Sequence, residues 1–224
     1  MKTTQLTVSD PKYLAEFIRE DEIKAFFEKR FEVPPDYLGL LMRNGQFVQA
    51  YKGAHFSVGG LFNQLKGLIG GSSSISLMIA DLKAWQAFYK VIARTKDKVD
   101  INGEVVLDLQ INPEKPQNIL GMMQGRKSLS KDDAAGWIKP HMWERVFEAA
   151  AARVNANEVR GNKGFQDLIQ GDVLKESERI AGDLGLLVRA VSVTWQLNEV
   201  EIAEAKRQAA IREADRLEFE FNTL

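Results

Sequence analysis

Apolar positions along this chain follow two different periods, and the change falls near Asn112-Pro113. Before it, alternation dominates. Val105, Leu107, Leu109 and Ile111 alternate with Glu104, Asp108 and Gln110, as a strand with one dry and one wetter face requires. Tyr37 to Tyr51 reads as two short strands broken at Asn44-Gly45, a dipeptide that accepts the positive φ angles of a tight hairpin turn. Ile75 to Ala80 and Trp85 to Ala93 read as further strands, although Leu82 to Ile92 also carries helical spacing. Asn102-Gly103 reads as a second hairpin turn or a bulge.

Beyond Asn112-Pro113 the spacing is helical, and strand pattern returns only at Leu186. Ser130, with Asp133 three residues on, starts a helix that Pro140 kinks or restarts. Trp143, Val146, Phe147, Ala150 and Val154 then share one apolar face. A second helix runs from about Gly164 to Leu184 on Phe165, Leu168, Ile169, Val173 and Ile180, with Gly185 placed to end it. Leu186 to Trp195 reads as a strand that returns to the sheet. Strands first and helices second predict an α+β layout. At the N-terminus, Ser9 or Asp10 caps a helix opening at Pro11, with Tyr13, Leu14, Phe17 and Ile18 on one face. After Glu20, Asp21 and Glu22 interrupt the stripe, Ile23, Phe26 and Phe27 form a second apolar cluster. The expected organisation is an N-terminal helical segment 1–32, a domain 33–197 and a C-terminal helix 198–224.

That last helix is charged and rich in alanine. Val200, Ala203, Ala210, Ala214, Leu217 and Phe221 advance by threes and fours, and Arg207 fills the missing position, so the period is the roughly 3.5 residues of a coiled-coil seam. Alanines permit close approach of two helices but bury little area, so the seam is weak alone, at about 25 cal/mol per Å². The pattern favours self-association, with one amphipathic helix folded back on its own domain as the alternative. Phe219 to Leu224 carries no helix stop signal, as expected of a chain that continues.

Composition narrows the chemistry. With 224 residues, 45% of them hydrophobic, the chain can bury a sizeable core. Thirty basic against thirty-one acidic residues leave a net charge of −1, so no global field draws it to nucleic acid or anionic lipid. The basic residues Lys83, Lys90, Arg94, Lys96 and Lys98 are diluted by Asp81 and Asp97, and no nucleic-acid partner is expected. The absence of cysteine removes thiolate catalysis and thiolate metal sites and points to a cytoplasmic setting. Met1 to Asp10 lacks the basic start and apolar run of a signal peptide. The weakly charged stretch Gly53 to Ala80 is too rich in glycine and polar residues for a spanning helix.

His55 and His141 are far apart and lack a carboxylate set, and His141 with Glu144 reads better as a helix-surface pair than as a metal site, so neither a catalytic residue nor a metal is expected. The glycines Gly59-Gly60, Gly67 and Gly70-Gly71 do not form a phosphate loop, because the Lys-Ser/Thr ending and the strand-to-helix context are missing. Within them Leu61, Phe62, Leu65, Leu68 and Ile69 make one apolar face, suited to a membrane surface, to a neighbouring subunit, or to a short core helix. Carboxylates around the Asp97 to Asp108 strands are the residues from which an enzyme of scattered site would draw.

Taken in order, these residues resemble the SPFH or band 7 domain of the stomatin, prohibitin and flotillin families. Val33-Pro34-Pro35-Asp36-Tyr37-Leu38-Gly39-Leu40-Leu41-Met42-Arg43-Asn44-Gly45 looks like the family's opening strand, and Gly53-Ala54-His55-Phe56 like its Gly-Leu-His-Phe turn. Thr95 to Val99, the Val105 to Ile111 strand, Asn112-Pro113, the later helices, Gly185-Leu186-Leu187-Val188 and Glu201 to Ala205 follow the family's order. Two departures stand out. A mixed-charge Tyr13 to Phe31 region takes the place of the usual membrane-inserted start, and a glycine-rich Leu61 to Ser74 insertion replaces a simple linker. The resemblance implies an α+β domain with a mostly antiparallel sheet packed by helices and a projecting C-terminal helix. It further implies a non-enzymatic, cofactor-free scaffold that assembles with copies of itself into rings or cages and organises membrane-associated client proteins. Its expected place is the cytoplasm, peripheral on the inner face of a membrane. A soluble partner-binding adaptor and a small enzyme are the alternatives.

Overall fold

In the computed structural model, residues 3–18, 30–53, 55–57, 74–142, 146–159 and 163–196 are described, together with Arg207 and Ile211. The strands are β1 (Thr3–Gln5), β2 (Tyr13–Ile18), β3 (Arg30–Glu32), β4 (Tyr37–Arg43), β5 (Gln46–Lys52), β6 (His55–Ser57), β7 (Ile75–Asp81), β8 (Trp85–Arg94), β9 (Asp100–Ile111), β10 (Ser128–Ser130) and β11 (Leu186–Gln196). The helices are α1 (Ile119–Met123), α2 (Lys131–Met142), α3 (Glu148–Ala151), α4 (Ala156–Val159) and α5 (Lys163–Asp183). The strands build a five-stranded sheet in the order β10-β2-β7-β4-β5 and two three-stranded sheets, β1-β3-β6 and β11-β9-β8. The fold is α+β with mostly antiparallel pairing; β1 with β3 is parallel.

The chain divides into two compact units. The first takes residues 1–87, 107–142 and 173–191, and the second takes 88–106, 143–172 and 192–224, so β8, β9, α5 and β11 each contribute to both.

In the first unit the Asn44-Gly45 hairpin forms as its sequence requires. Asn44 has φ 51° and Gly45 φ 77°, and Arg43 faces Gln46 across the turn. The turn is anchored at Ser74, whose N–H donates to Asn44 Oδ1 at 3.0 Å and whose carbonyl accepts the Asn44 N–H at 2.9 Å. In β4 and β7 consecutive residues are buried, Leu40, Leu41 and Met42 in one and Leu77 to Ala80 in the other, because both faces of these strands are covered. Gly39 permits this packing, since a Cβ there would lie 3.2 Å from Val33 Cγ2. Leu6, Val8, Val33, Leu77 and Ile79 close one core, with Tyr13, Ile18, Tyr37 and Tyr51 packed against it.

The helix expected over Tyr13, Leu14, Phe17 and Ile18 is a strand. β2 lies between β10 and β7, with Ala15 opposite Ala80 and Phe17 opposite Met78. Leu14 and Ala15 are both fully buried, as a central strand demands, and over six residues such an apolar run does not distinguish strand from helix. Asp10 accepts a local hydrogen bond, but that of a turn: its Oδ1 takes the Lys12 N–H at 2.9 Å and its carbonyl the Tyr13 N–H at 2.9 Å. An N-terminal helical segment 1–32 is therefore wrong where the residues are described, since β1, β2 and β3 are strands. The Ile23, Phe26 and Phe27 cluster lies outside the described residues.

β8 and β9 alternate strictly between buried and open positions. Their turn is Thr95–Val99 rather than Asn102-Gly103. Thr95 N–H donates to Val99 O at 2.9 Å, the Thr95 hydroxyl accepts the Val99 N–H at 3.1 Å, and Lys98 takes φ 64°. Asn102 and Gly103 lie inside β9 because the glycine serves a close approach: a Cβ on Gly103 would come within 2.9 Å of Trp195 Cε3 and of Val91 Cγ2. Trp195 in turn meets Phe147 edge to face at 5.6 Å.

The stretch between Pro113 and Leu186 is mostly helical, but it includes β10, whose three residues are too few to show a period. α2 begins with the expected reciprocal cap. The Ser130 hydroxyl accepts the Asp133 N–H at 2.9 Å and donates to Asp133 Oδ2 at 2.8 Å. Along α5, Ile169, Val173, Ser177, Ile180 and Ala181 are buried, while Leu168, expected on that face, is 61% exposed. Gly185 ends α5 at φ 78°, where a Cβ would sit 2.8 Å from Asn118 Cβ.

Candidate functional site

The residues proposed from sequence for membrane or subunit contact, Leu61, Phe62, Leu65, Leu68 and Ile69, lie outside the described residues, as do His55 and His141 side chains and Glu144. So do the seam residues Val200, Ala203, Ala210, Ala214, Leu217 and Phe221. Arg207 and Ile211 are described, and both are helical and exposed. Ile211 is 49% exposed, an apolar residue left in solvent, four positions after the Arg207 that fills the gap in the heptad pattern of the sequence. The pattern of threes and fours passes it over because it flanks the seam rather than lying in it.

Of the carboxylates from which a scattered enzyme site would draw, Asp97 and Asp100 have structural partners. Asp97 Oδ1 accepts the Thr95 hydroxyl at 2.5 Å, and its carboxylate takes the Ala156 N–H at 3.1 Å, so it closes the β8–β9 turn onto the start of α4. The Thr95 hydroxyl is the main cause that holds the Asp97 carboxyl below its ordinary range. Asp100 accepts Arg94 Nε at 2.8 Å and Nη2 at 3.3 Å, and the guanidinium likewise lowers its pKa. Groups held this firmly as anions are poorly suited to donate a proton near neutral pH. Among the described residues no three His, Cys, Asp or Glu side chains stand where they could hold a metal ion.

The basic residues are also dispersed in role. Lys83 Nζ lies 5.1 Å from the centre of the Tyr37 ring, Arg94 is paired with Asp100, and Lys90 stands exposed on β8. The open side of β8 carries a different signal, one that sequence reading left aside. Phe88 is 63% and Ile92 53% exposed, alternating with Lys90 and Arg94, while Tyr89, Val91 and Ala93 on the other side are buried. Among the described residues β8 is also an edge of its sheet. The available signal was the alternation itself: Phe88 and Ile92 occupy the parity of Gln86 and Arg94, the polar side.

No helix among the described residues is long and apolar enough to cross a membrane. No protein-family model matches the chain, and a search of the curated proteins finds no match.

Proposed function

We propose that this chain is a non-enzymatic scaffold of the SPFH or band 7 type, which assembles with copies of itself into rings or cages and organises membrane-associated proteins. In this reading it works in the cytoplasm, peripheral to the inner face of a membrane, with Leu61, Phe62, Leu65, Leu68 and Ile69 meeting lipid or a neighbouring subunit. Val200, Ala203, Ala210, Ala214, Leu217 and Phe221 form the seam between copies. The observation that carries the reading is Ile211, an apolar residue half exposed within the stretch of sequence whose heptads run from Val200 to Phe221. The order of strands, hairpin, helices and returning strand supports it as fold-level analogy. The partnered state of Asp97 and Asp100 disfavours these two carboxylates as proton donors of an enzyme site.

The test compares the solution mass of the intact chain, by light scattering, with that of a Leu217→Glu/Phe221→Glu variant. A multimer that falls to a smaller particle on substitution supports the reading, because each glutamate would put an unpaired charge into the seam. Equal monomer masses overturn it. Flotation of the intact chain with anionic liposomes then separates the membrane scaffold from a soluble adaptor.

A further inference from the structure

We infer that the open edge of β8 pairs with β8 of a second copy, antiparallel and centred on Val91. The inference rests on the scaffold reading for its biological sense but on different residues for its evidence. A self-complementary helical seam is an isologous contact and by itself closes a dimer; a ring or cage needs a second kind of contact.

β8 has the properties of such a contact. It runs ten residues, Trp85–Arg94, alternates without a break, contains no proline, and its outer edge has no strand beside it among the described residues. Natural edges are usually blunted by a charge, a bulge or a short strand; β8 does carry Lys90 and Arg94 outward, but they alternate with Phe88 and Ile92, both more than half exposed, so charge alone does not cover this side.

The choice of a second copy, rather than some other strand, comes from what β8 places opposite itself. Pairing the run Phe88 to Arg94 with its own image centres the register on Val91. Outward, Phe88 then faces Arg94 of the other copy and Lys90 faces Ile92. Every base meets an apolar side chain, and the guanidinium meets a ring. Inward, bulky Tyr89 faces small Ala93, and Val91 faces itself. Sliding the centre one residue toward the N-terminus sets Lys90 against Lys90, and one residue toward the C-terminus sets Lys90 against Arg94. Like charges directly opposite are unfavourable, so the Val91 register is protected on both sides.

The sequence contains no cysteine, so a single label site can be introduced into the full chain. Gln86→Cys is exposed and lies outside the paired run. With the centre on Val91, spin labels on two copies stand ten residues apart along the strands, about 33 Å at the usual rise per residue. Pulsed electron-spin resonance should show that distance between chains, and Ile92→Lys in the labelled chain should abolish it by opposing Lys90 with a second lysine. Light scattering on the same samples separates the two claims. A multimer without the distance, or with one near 26 Å (a register slipped by one residue), overturns the Val91 pairing and leaves the scaffold reading standing. A monomer overturns both.

Discussion

Lys131 joins three parts of the first unit through one ammonium group. Its Nζ donates to Asp81 Oδ2 at 3.0 Å and to the Pro11 carbonyl at 2.8 Å, while its own N–H binds Lys12 O at 2.9 Å. The start of α2 is thereby tied to the end of β7 and to the turn before β2. The Asp81 side chain is 4% exposed and that of Lys131 20%, so this is close to a buried ion pair. Removing one partner of such a pair typically costs about 3–5 kcal/mol, because the other charge stays buried. Here Asp81 Oδ1 keeps the Lys83 N–H at 3.0 Å, and the lysine head is partly wetted. Lys131→Met should therefore cost less, about 2–3 kcal/mol. For a chain of this length that lowers Tm by roughly 5–10 °C. Asp81→Asn retains an acceptor and frees the lysine to reach water, so it should cost about 1–2 kcal/mol. The double variant should be less destabilised than the sum of the singles by about 1 kcal/mol or more. Urea unfolding measures all three, with the midpoint moving and the slope unchanged. A Lys131→Met variant within about 0.5 kcal/mol of the parent, or a cycle additive to that margin, would refute the reasoning.

Three further outcomes follow from local geometry. Gly185→Ala must take the φ of 78° that ends α5 and press a methyl against Asn118, a combined cost of about 2–4 kcal/mol in urea unfolding; parent-like stability would mean the turn is not so constrained. Gly103→Ala must displace Trp195 or Val91, which should cost about 1–3 kcal/mol and alter the near-ultraviolet circular dichroism of the tryptophan; an unchanged spectrum and midpoint would contradict the packing. Asp97 and Asp133 have pKa values lowered in the folded chain, chiefly by the hydroxyls of Thr95 and Ser130. The unfolded chain therefore binds protons first, so stability is full above the ordinary carboxylate range and declines as pH falls through the folded values. Thr95→Val and Ser130→Ala should each flatten that acid limb in melts taken across pH, and an unaltered limb in both would count against these hydroxyls as its cause.

Much of the architecture is legible in the residues because it depends on local rules. Asn44-Gly45 has a positive-φ requirement that nothing distant must supply, and the alternation of β8 and β9 follows from one face being buried. The cap at Ser130 and the stop at Gly185 are equally local. The failures share a cause in tertiary context. Tyr13–Ile18 becomes a strand because β7 and β10 flank it, which no spacing within six residues announces. Asn102-Gly103 looks like a turn, yet its glycine is there to admit the ring of Trp195, which lies far along the chain. Leu168 is apolar and in helical phase, but the face that packs is the one through Ile169, Val173 and Ser177. The seam and the Leu61 to Ile69 face, by contrast, rest on sequence, with Ile211 as the single structural observation beside them.

The central claim is that copies of this chain associate, and the solution mass of the intact protein by multi-angle light scattering tests it most directly. The scaffold account predicts a defined multimer that shrinks when the chain is cut after Leu197. A monomer at every concentration, unchanged by the cut, would contradict it.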